Sequence, residues 1–409
     1  MFIPIIIGLF TLSVGLRNEK SLAYPPTLFS LLWLLICIFL SLKLLPYYEI
    51  SVFTYFIVGI GILFFMIGGR LAKKSFYNHY HKSYRSLNIY LFLLLELSSF
   101  LFSLPDVMKS IAAIQMGISL EDIRSESGNI ENTGGFIPYL RNFILTPISY
   151  ICYSVYAYIV LSRKFKPHQI IIATILTFLL ILSSVTRLGG RSPIIFLIIS
   201  LTITYYFINR GKKISKKEAL LFFFLIVLAT SAFYITSLSR GIENVNDSVY
   251  GYFTGCVPML NQGINNLKSY YFGVATFSSP ISLVNSFTNF VGMGQMPIQK
   301  TIDAFNIGLD ENVTIGDGMH MNAFFSIFYW FYIDFGIIGV ILFSALYGWL
   351  CSFYYYKAKY DPSPKRIILF SFLMQGLLLS FIRFHFATFY YFMAFVISPI
   401  LFTKKSPKI

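Results

Sequence analysis

The stretch "IIIATILTFLLILSSVTRLGGRSPIIFLIISLTITYYFI", residues 170–208, decides the fold of this chain. Two strongly apolar runs, near 170–186 and 193–209, are joined by a short turn that carries two arginines and a pair of glycines. Each run approaches the roughly 20 residues that a helix needs to cross the hydrocarbon core of a bilayer. The stretch therefore predicts two membrane-spanning helices that meet at one face of a membrane.

The composition of the whole chain agrees with that interpretation. Of the 409 residues 56% are hydrophobic and only 12% are charged, a balance that water-soluble domains of this length do not carry. The net charge of +15 comes from basic residues in short clusters between apolar runs. Membrane proteins distribute their topology signals in this way, whereas nucleic-acid-binding proteins collect basic residues in a patch. We therefore expect membrane lipids as partners and no nucleic acid.

Eleven apolar runs predict an all-α polytopic membrane protein, with residues 1–409 forming a single transmembrane bundle. The strongly basic connections all fall on one side of the predicted spans, which makes that side cytoplasmic by the positive-inside rule. The N-terminus is then outside and the C-terminus inside. The runs lie near residues 1–16, 27–45, 51–69, 88–104, 138–162, 170–186, 193–209, 219–237, 335–356, 366–382 and 386–403.

Two predicted outward segments are long. Residues 105–137 form an acidic loop, and residues 238–322 form a larger loop rich in Asn, Gly, Ser and Tyr. Segments of this length without regular periodicity are usually functional or disordered. The larger loop is too aromatic and apolar to stay solvated, so we expect it to fold into short helices and to cap the bundle at the membrane surface.

Arginines on the outward side contradict the sidedness rule and need another reason to be there. An arginine offers a planar fork of donors that binds phosphate oxygens in pairs, and several of these arginines lie where an apolar run ends, at headgroup depth. The alternative is that each one reaches lipid headgroups or pairs with a loop carboxylate. The outward arginines are Arg124, Arg141, Arg187, Arg191, Arg240 and Arg383. We predict one anion site formed by Arg187, Arg191, Arg240 and Arg383.

Candidate acid–base residues are few. His320 closes the stretch "GLDENVTIGDGMH" with Asp317 nearby, and an imidazole near neutrality can accept a proton from a hydroxyl. The same stretch is also typical of a hydrated acidic loop. No phosphate-binding, dinucleotide-binding or zinc-protease motif occurs in a suitable context, so we predict neither a cofactor nor a metal.

Two carboxylates fall inside predicted spans. Glu96 lies in "LFLLLELSSF", and Asp334 lies in "FYWFYIDFGIIGV". A charge at that depth is costly, so each carboxylate is a functional candidate or half of a structural pair with an arginine such as Arg141 or Arg383.

Several short motifs together resemble one family. They are "GISLEDIR" in the acidic loop, "RLGGRSP" at the span rim, "SLSRG" at the start of the large loop, and "DFGIIGV" at the return to the membrane. With the eleven spans, they resemble the bacterial O-antigen polymerases, the Wzy-type oligosaccharide repeat-unit polymerases. The resemblance covers the layout of nearly the whole chain and implies a glycosyltransferase-C-like fold with a large periplasmic loop.

The resemblance implies a metal-independent enzyme of the bacterial inner membrane whose active site faces the periplasm. It would transfer the growing glycan from undecaprenyl pyrophosphate to a new carrier-linked repeat unit, with a chain-length regulator co-polymerase as a partner. The four arginines would bind pyrophosphate, and His320, Asp317 or Glu243 would activate the acceptor. Two alternatives stay open, an O-antigen ligase and a repeat-unit flippase or other transporter.

Overall fold

The structure is a computed structural model, and its helices and strands place the predicted spans directly. Among the described residues, six helices are long and apolar enough to cross a membrane. They confirm that the chain is an all-α membrane protein. The six are Phe2–Glu19, Val52–Phe76, Ile89–Ala113, Arg141–Ser162, Pro167–Thr186 and Ser326–Tyr360. The structure describes residues 2–78, 85–116, 139–188, 192–209, 245–322 and 324–404.

The elements follow one another in chain order. They are α1 (Phe2–Glu19), α2 (Pro25–Ser41), α3 (Val52–Asn78), β1 (Arg85–Leu87), α4 (Ile89–Gln115), a π-helical turn (Arg141–Leu145), α5 (Thr146–Ser162), α6 (Pro167–Leu188), α7 (Ser192–Ile208), α8 (Val245–Thr254), α9 (Cys256–Asn265), α10 (Ser278–Phe290), α11 (Ile298–Asp310), β2 (Val313–Gly316), β3 (Met319–Met321), α12 (Ser326–Tyr360), α13 (Pro364–Leu378), a 3-10 turn (His385–Ala387), α14 (Phe389–Ile397), a second 3-10 turn (Ser398–Leu401) and β4 (Phe402–Lys404).

Helices coincide with each predicted apolar run that falls on described residues, while the run at 219–237 lies outside them. Two boundaries differ from the prediction. The helix α4 continues through Pro105 to Gln115, eleven residues into the predicted acidic loop. The helix α12 begins at Ser326 and bends at Phe335 and Gly336, where φ of Gly336 is +61°. The predicted run, residues 335–356, began at this bend.

Contact clustering divides the chain into two compact units, and each is described by itself. The prediction of one bundle over residues 1–409 stays a prediction. The first unit lies within residues 1–81, 246–357 and 376–392, and the second lies within residues 82–245, 358–375 and 393–409.

In the first unit, α3 and α12 approach closely at two glycines. A side chain at Gly68 would collide with the Ala345 carbonyl, and one at Gly348 would collide with the Phe65 carbonyl. Close backbone contact through small residues is how helices associate in lipid, where no hydrophobic effect drives them together. These glycines therefore set the distance between the two helices.

The segment 245–322 of the first unit folds into four short helices and the β2–β3 hairpin, as the aromatic composition predicted. Buried polar contacts tie it to the start of α3. The Asn261 carboxamide oxygen accepts hydrogen bonds from the Thr54 hydroxyl at 2.8 Å and from the Ser51 amide at 3.0 Å. Its role as an outward cap stays a prediction.

In the second unit, α4 packs against α6 and α5 packs against α7. A buried polar contact joins α5, α7 and α13, because the Gln375 side-chain amide donates to the Ser200 hydroxyl at 2.7 Å and to the Ser154 hydroxyl at 3.1 Å. Hydrogen bonds between helices satisfy polar groups that lipid cannot. The short strands β1 and β4 pair antiparallel in the same unit.

Candidate functional site

Arg383 is the predicted anion-binding residue whose surroundings the structure shows most fully. It lines a cavity of about 230 Å³ in the first unit, together with Trp330 and Phe384. The cavity is rich in hydroxyl groups as well as aromatic rings. The hydroxyl-bearing residues that line it are Ser278, Ser279, Ser282, Thr388 and Tyr390. A guanidinium surrounded by hydroxyl donors is suited to bind an oxyanion.

The start of α10 forms one wall of this cavity. The helix begins at Ser278 without a side-chain cap, so the positive end of its dipole is open to an anion. Ser279 is 1% exposed, and its hydroxyl has no hydrogen-bond partner among the described residues. Because it has no protein partner, this hydroxyl can bind a ligand atom without breaking a hydrogen bond within the protein.

Asp334 fixes the turn that precedes α10. The side chain is fully buried, and its two carboxylate oxygens accept hydrogen bonds from the backbone amides of Ala275 at 3.1 Å and Thr276 at 2.7 Å. The sequence left Asp334 as a functional candidate or as half of an ion pair with an arginine, and the partners that the structure shows for its two oxygens are backbone amides. These neutral donors stabilise the carboxylate, and Asp334 positions the wall of the cavity without lining it.

His385 lies two residues beyond Arg383 and is buried. The pKa of His385 is lowered to about 3, mainly by burial and then by the positive charge of Arg383, while a hydrogen bond with the Leu379 backbone opposes both. The imidazole is therefore neutral at physiological pH. Since His385 is neutral, the positive charge of this turn at the cavity is that of Arg383.

A second cavity, of about 280 Å³, is lined in part by α12. Its lining includes the amides of Gln262 and Asn266 and the rings of Tyr271 and Tyr329. Tyr329 lines this cavity, and its neighbour Trp330 lines the cavity of Arg383, with the two ring centroids 6.2 Å apart. The two cavities are therefore neighbours across a single helix.

Comparison with known proteins does not place the chain in a family. No family model, curated protein or solved structure matches it. The functional interpretation consequently depends on the residues themselves and on the motifs quoted above.

The other predicted anion-binding residues are not placed by the structure. Arg191, Arg240 and Glu243 lie outside the described residues, and Arg187 lies in the last turn of α6 with its side chain undescribed. The convergence of four arginines on one anion therefore stays a prediction, of which the structure describes the surroundings of Arg383.

The predicted acid–base residues lie in the hairpin of strands β2 and β3. His320 is exposed on β3, where its Nδ1 lies 3.1 Å from the Thr314 hydroxyl. Asp317 is exposed in the turn between the strands. Neither residue is among those that line the cavity of Arg383. Their role as acceptor-activating residues stays a prediction.

The partner of Glu96 differs from the predicted one. Glu96 is fully buried on α4, and its Oε1 accepts a hydrogen bond from the Thr177 hydroxyl of α6 at 2.7 Å. The arginine considered as its partner, Arg141, forms an ion pair with Asp106 instead. One carboxyl oxygen of Glu96 thus accepts a hydrogen bond from a neutral donor at the interface of two helices, and this contact buries no second charge.

Sequence reasoning missed Ser279 and the positioning role of Asp334. One signal for Ser279 was present, because "SSP" at residues 278–280 has a proline suited to the first turn of a helix. No comparable signal existed for Asp334, since its partners are backbone amides 58 and 59 residues away in the chain.

Proposed function

We propose that this protein is a membrane glycosyltransferase that polymerises lipid-linked oligosaccharide repeat units, of an O-antigen or a similar polysaccharide. It transfers the growing glycan from undecaprenyl pyrophosphate to a new carrier-linked repeat unit. The observation that supports this proposal is the cavity of Arg383, where a guanidinium, an unpartnered buried serine and the start of a helix come together in a membrane protein.

The proposed reaction breaks the bond between the anomeric carbon of the donor glycan and its pyrophosphate oxygen. A new bond forms between that carbon and an acceptor hydroxyl oxygen, and the hydroxyl proton passes to a base. Negative charge develops on the departing pyrophosphate, and fixed donors aimed at developing charge lower the barrier. In the proposal Arg383, the Ser279 hydroxyl and the backbone amides of Ser278 and Ser279 supply those donors.

The remaining predicted residues complete the proposal. Arg187, Arg191 and Arg240 contact the same pyrophosphate. His320, with Asp317 and Glu243 as alternatives, accepts the proton of the acceptor hydroxyl.

The second cavity suits the acceptor sugar. Sugar rings present C–H groups that pack on aromatic faces, and Tyr271 and Tyr329 offer such faces. The side-chain amides of Gln262 and Asn266 can both donate to and accept from sugar hydroxyls.

The proposal also includes the arrangement in the membrane. Eleven spans of a glycosyltransferase-C-like fold cross the inner membrane of a bacterium, and the loop at residues 105–137 and the larger loop at 238–322 both face the periplasm. The catalytic cavities are on that face, and a chain-length regulator acts as a co-polymerase. The basic connections between the spans support this orientation.

Replacement of Arg383 tests the proposal. In cells whose only copy of the protein is Arg383→Ala, we expect polymer to be lost and single repeat units to remain on lipid A core. A charge-assisted hydrogen bond is worth about 1.5–3 kcal/mol, so turnover should fall roughly 10- to 150-fold. Arg383→Lys should restore part of it, and Arg17→Ala, which removes an exposed arginine of α1, should have no effect.

The distribution of glycan between the lipid carrier and lipid A core also distinguishes a polymerase from a ligase and from a flippase. Loss of a ligase leaves carrier-linked polymer that is not attached to the core, and loss of a flippase traps repeat units on the cytoplasmic side. Normal long-chain polymer in Arg383→Ala cells would show that Arg383 does not bind the leaving group.

A further inference from the structure

The helix α10 has its polar side buried and its apolar side exposed, the reverse of a helix that lies in water. On the buried side, Asn285 is 6% exposed, accepts a hydrogen bond from the Met296 amide at 2.6 Å and donates to Gln299 at 3.1 Å. On the exposed side, Val284, Phe287 and Val291 recur at helical spacing with 53%, 64% and 47% of their surface exposed. This side of the helix therefore needs an apolar environment.

The exposed side belongs to a larger surface, which we call the apolar patch. Exposed residues before and after α10 extend it, among them Met293 at 79% exposure. A monomeric soluble protein rarely leaves such a continuous apolar area in water. The residues that define the apolar patch are Phe272, Val284, Phe287, Phe290, Val291 and Met293.

The charge distribution around the patch matches a lipid environment. Residues 269–299 contain no Asp, Glu, Lys or Arg, although they belong to a segment that was predicted to lie outside the spans. A lysine stands at each end of this stretch, Lys268 and Lys300. Uncharged apolar segments with flanking lysines are typical of elements that enter the interface while their lysines reach the headgroups.

The apolar patch is also continuous with the exposed side of a candidate membrane span. The Phe272 ring lies 6.2 Å from the Phe335 ring of α12. From there an exposed apolar stripe follows α12 through Ile338, Leu342 and Leu346. This ring contact places Phe272 beside the exposed apolar side of a candidate span, so the two share one environment.

From this continuity we propose that the apolar patch is embedded in the lipid bilayer. The helix α10 lies in the interface between headgroups and acyl chains, with Val284, Phe287 and Val291 immersed. The uncapped end of the same helix, at Ser278, forms a wall of the cavity of Arg383, so that cavity lies near the depth of lipid phosphates. The inference concerns membrane contact alone and holds whatever reaction the cavity supports.

Spin labels at exposed positions test this placement in the full-length protein. We would prepare Phe287→Cys, Met293→Cys and, as a matched control, Ile307→Cys on α11. Ile307 is 66% exposed, close to the 64% of Phe287, but its helix carries charged residues. The four native cysteines are buried, so labelling is directed to the introduced thiol. The proteins are reconstituted in phosphatidylcholine–phosphatidylglycerol vesicles, and collisions with oxygen and with a water-soluble nickel chelate are measured.

Oxygen concentrates in acyl chains while the nickel chelate stays in water. At a depth of about 5–10 Å we expect the oxygen-to-nickel collision ratio at 287 and 293 to exceed that at 307 by on the order of tenfold. Oxygen-to-nickel ratios at 287 and 293 as low as that of a spin label free in water would place the patch in water and overturn the proposal. Shielding of 287 and 293 from both reagents would also overturn it, because protein, such as a second copy of the chain, would then cover the patch. Two labelled positions make the result independent of any single substitution.

Discussion

Replacement of Asp334 by alanine should loosen the start of α10 and so disturb the cavity of Arg383 from a distance. Asp334 binds the backbone amides of Ala275 and Thr276, and all three residues are buried. Without the carboxylate both amides lose their acceptor in a site closed to water. A buried donor that loses its partner costs about 1–3 kcal/mol, so the two together cost about 2–6 kcal/mol.

Hydrogen–deuterium exchange measured by mass spectrometry reports this loss locally. A cost of about 2 kcal/mol raises the population of the open state roughly 30-fold, and the exchange rate of a peptide covering residues 274–286 should increase by at least that factor. Asp334→Asn keeps one acceptor oxygen and should show an intermediate increase. The control is Asp303→Ala, since Asp303 is exposed and bonds to Gln299 at the surface of α11.

Two results would contradict the role assigned to Asp334. If exchange in Asp334→Ala matches that of the unmodified protein and of Asp303→Ala, the carboxylate does not hold the turn. If exchange rises over all helices equally, Asp334 supports the whole unit, and its specific connection to the cavity is refuted.

Two further predictions concern the same cavity. Ser279→Ala removes a hydroxyl that has no protein partner, so the free energy of unfolding should change by no more than about 0.5 kcal/mol. Polymer formation should fall about five- to tenfold. A loss of stability with unchanged polymer formation would contradict the ligand-facing role of this hydroxyl. His385 has a folded-state pKa of about 3, below its unfolded value of about 6.5. The free energy of unfolding is therefore unaffected by His385 above pH 6.5 and decreases as the pH falls from 6.5 toward 3. At pH 5 the loss should be about 2 kcal/mol by denaturant unfolding, and His385→Gln should show no such loss.

The sequence predicted the membrane helices well because hydropathy and length determine them physically. Six helices of the described residues are long and apolar enough to cross a membrane, since a bilayer allows few alternatives for an apolar run of that length, while the count of eleven spans stays a prediction. The boundaries of α4 and α12 were missed for local reasons. Pro105 removes only one backbone hydrogen bond and does not end α4. The helix α12 begins at Ser326, nine residues before the predicted start at the bend.

The candidate site was only partly predictable. Arg383 was identified from its residue type and its place after an apolar run, both of which the sequence displays. The hydroxyl lining came from residues 278–282 and 388–390, which are far apart in the chain and meet only through folding. Asp334 was recognised as a charge within an apolar segment, but its backbone partners carry no side-chain pattern, so the sequence offered only a functional role or an arginine partner.

The unusual orientation of α10 was visible in the sequence in one respect. The aromatic and apolar composition of the loop at residues 238–322 predicted that this segment would not stay solvated. Which side of its helix is exposed depends on Asn285 and on the contacts with α12, and these exist only in the folded unit.

A reconstituted polymerisation assay tests the central claim most directly. The purified protein in lipid vesicles receives one glycan substrate, an undecaprenyl-pyrophosphate-linked repeat unit, and no nucleotide sugar. We predict carrier-linked products that grow by whole repeat units, with one undecaprenyl pyrophosphate released for each unit added, and growth slowed roughly 10- to 150-fold with Arg383→Ala. Products that remain at one repeat unit, with the unmodified protein folded and membrane-inserted, would contradict the claim.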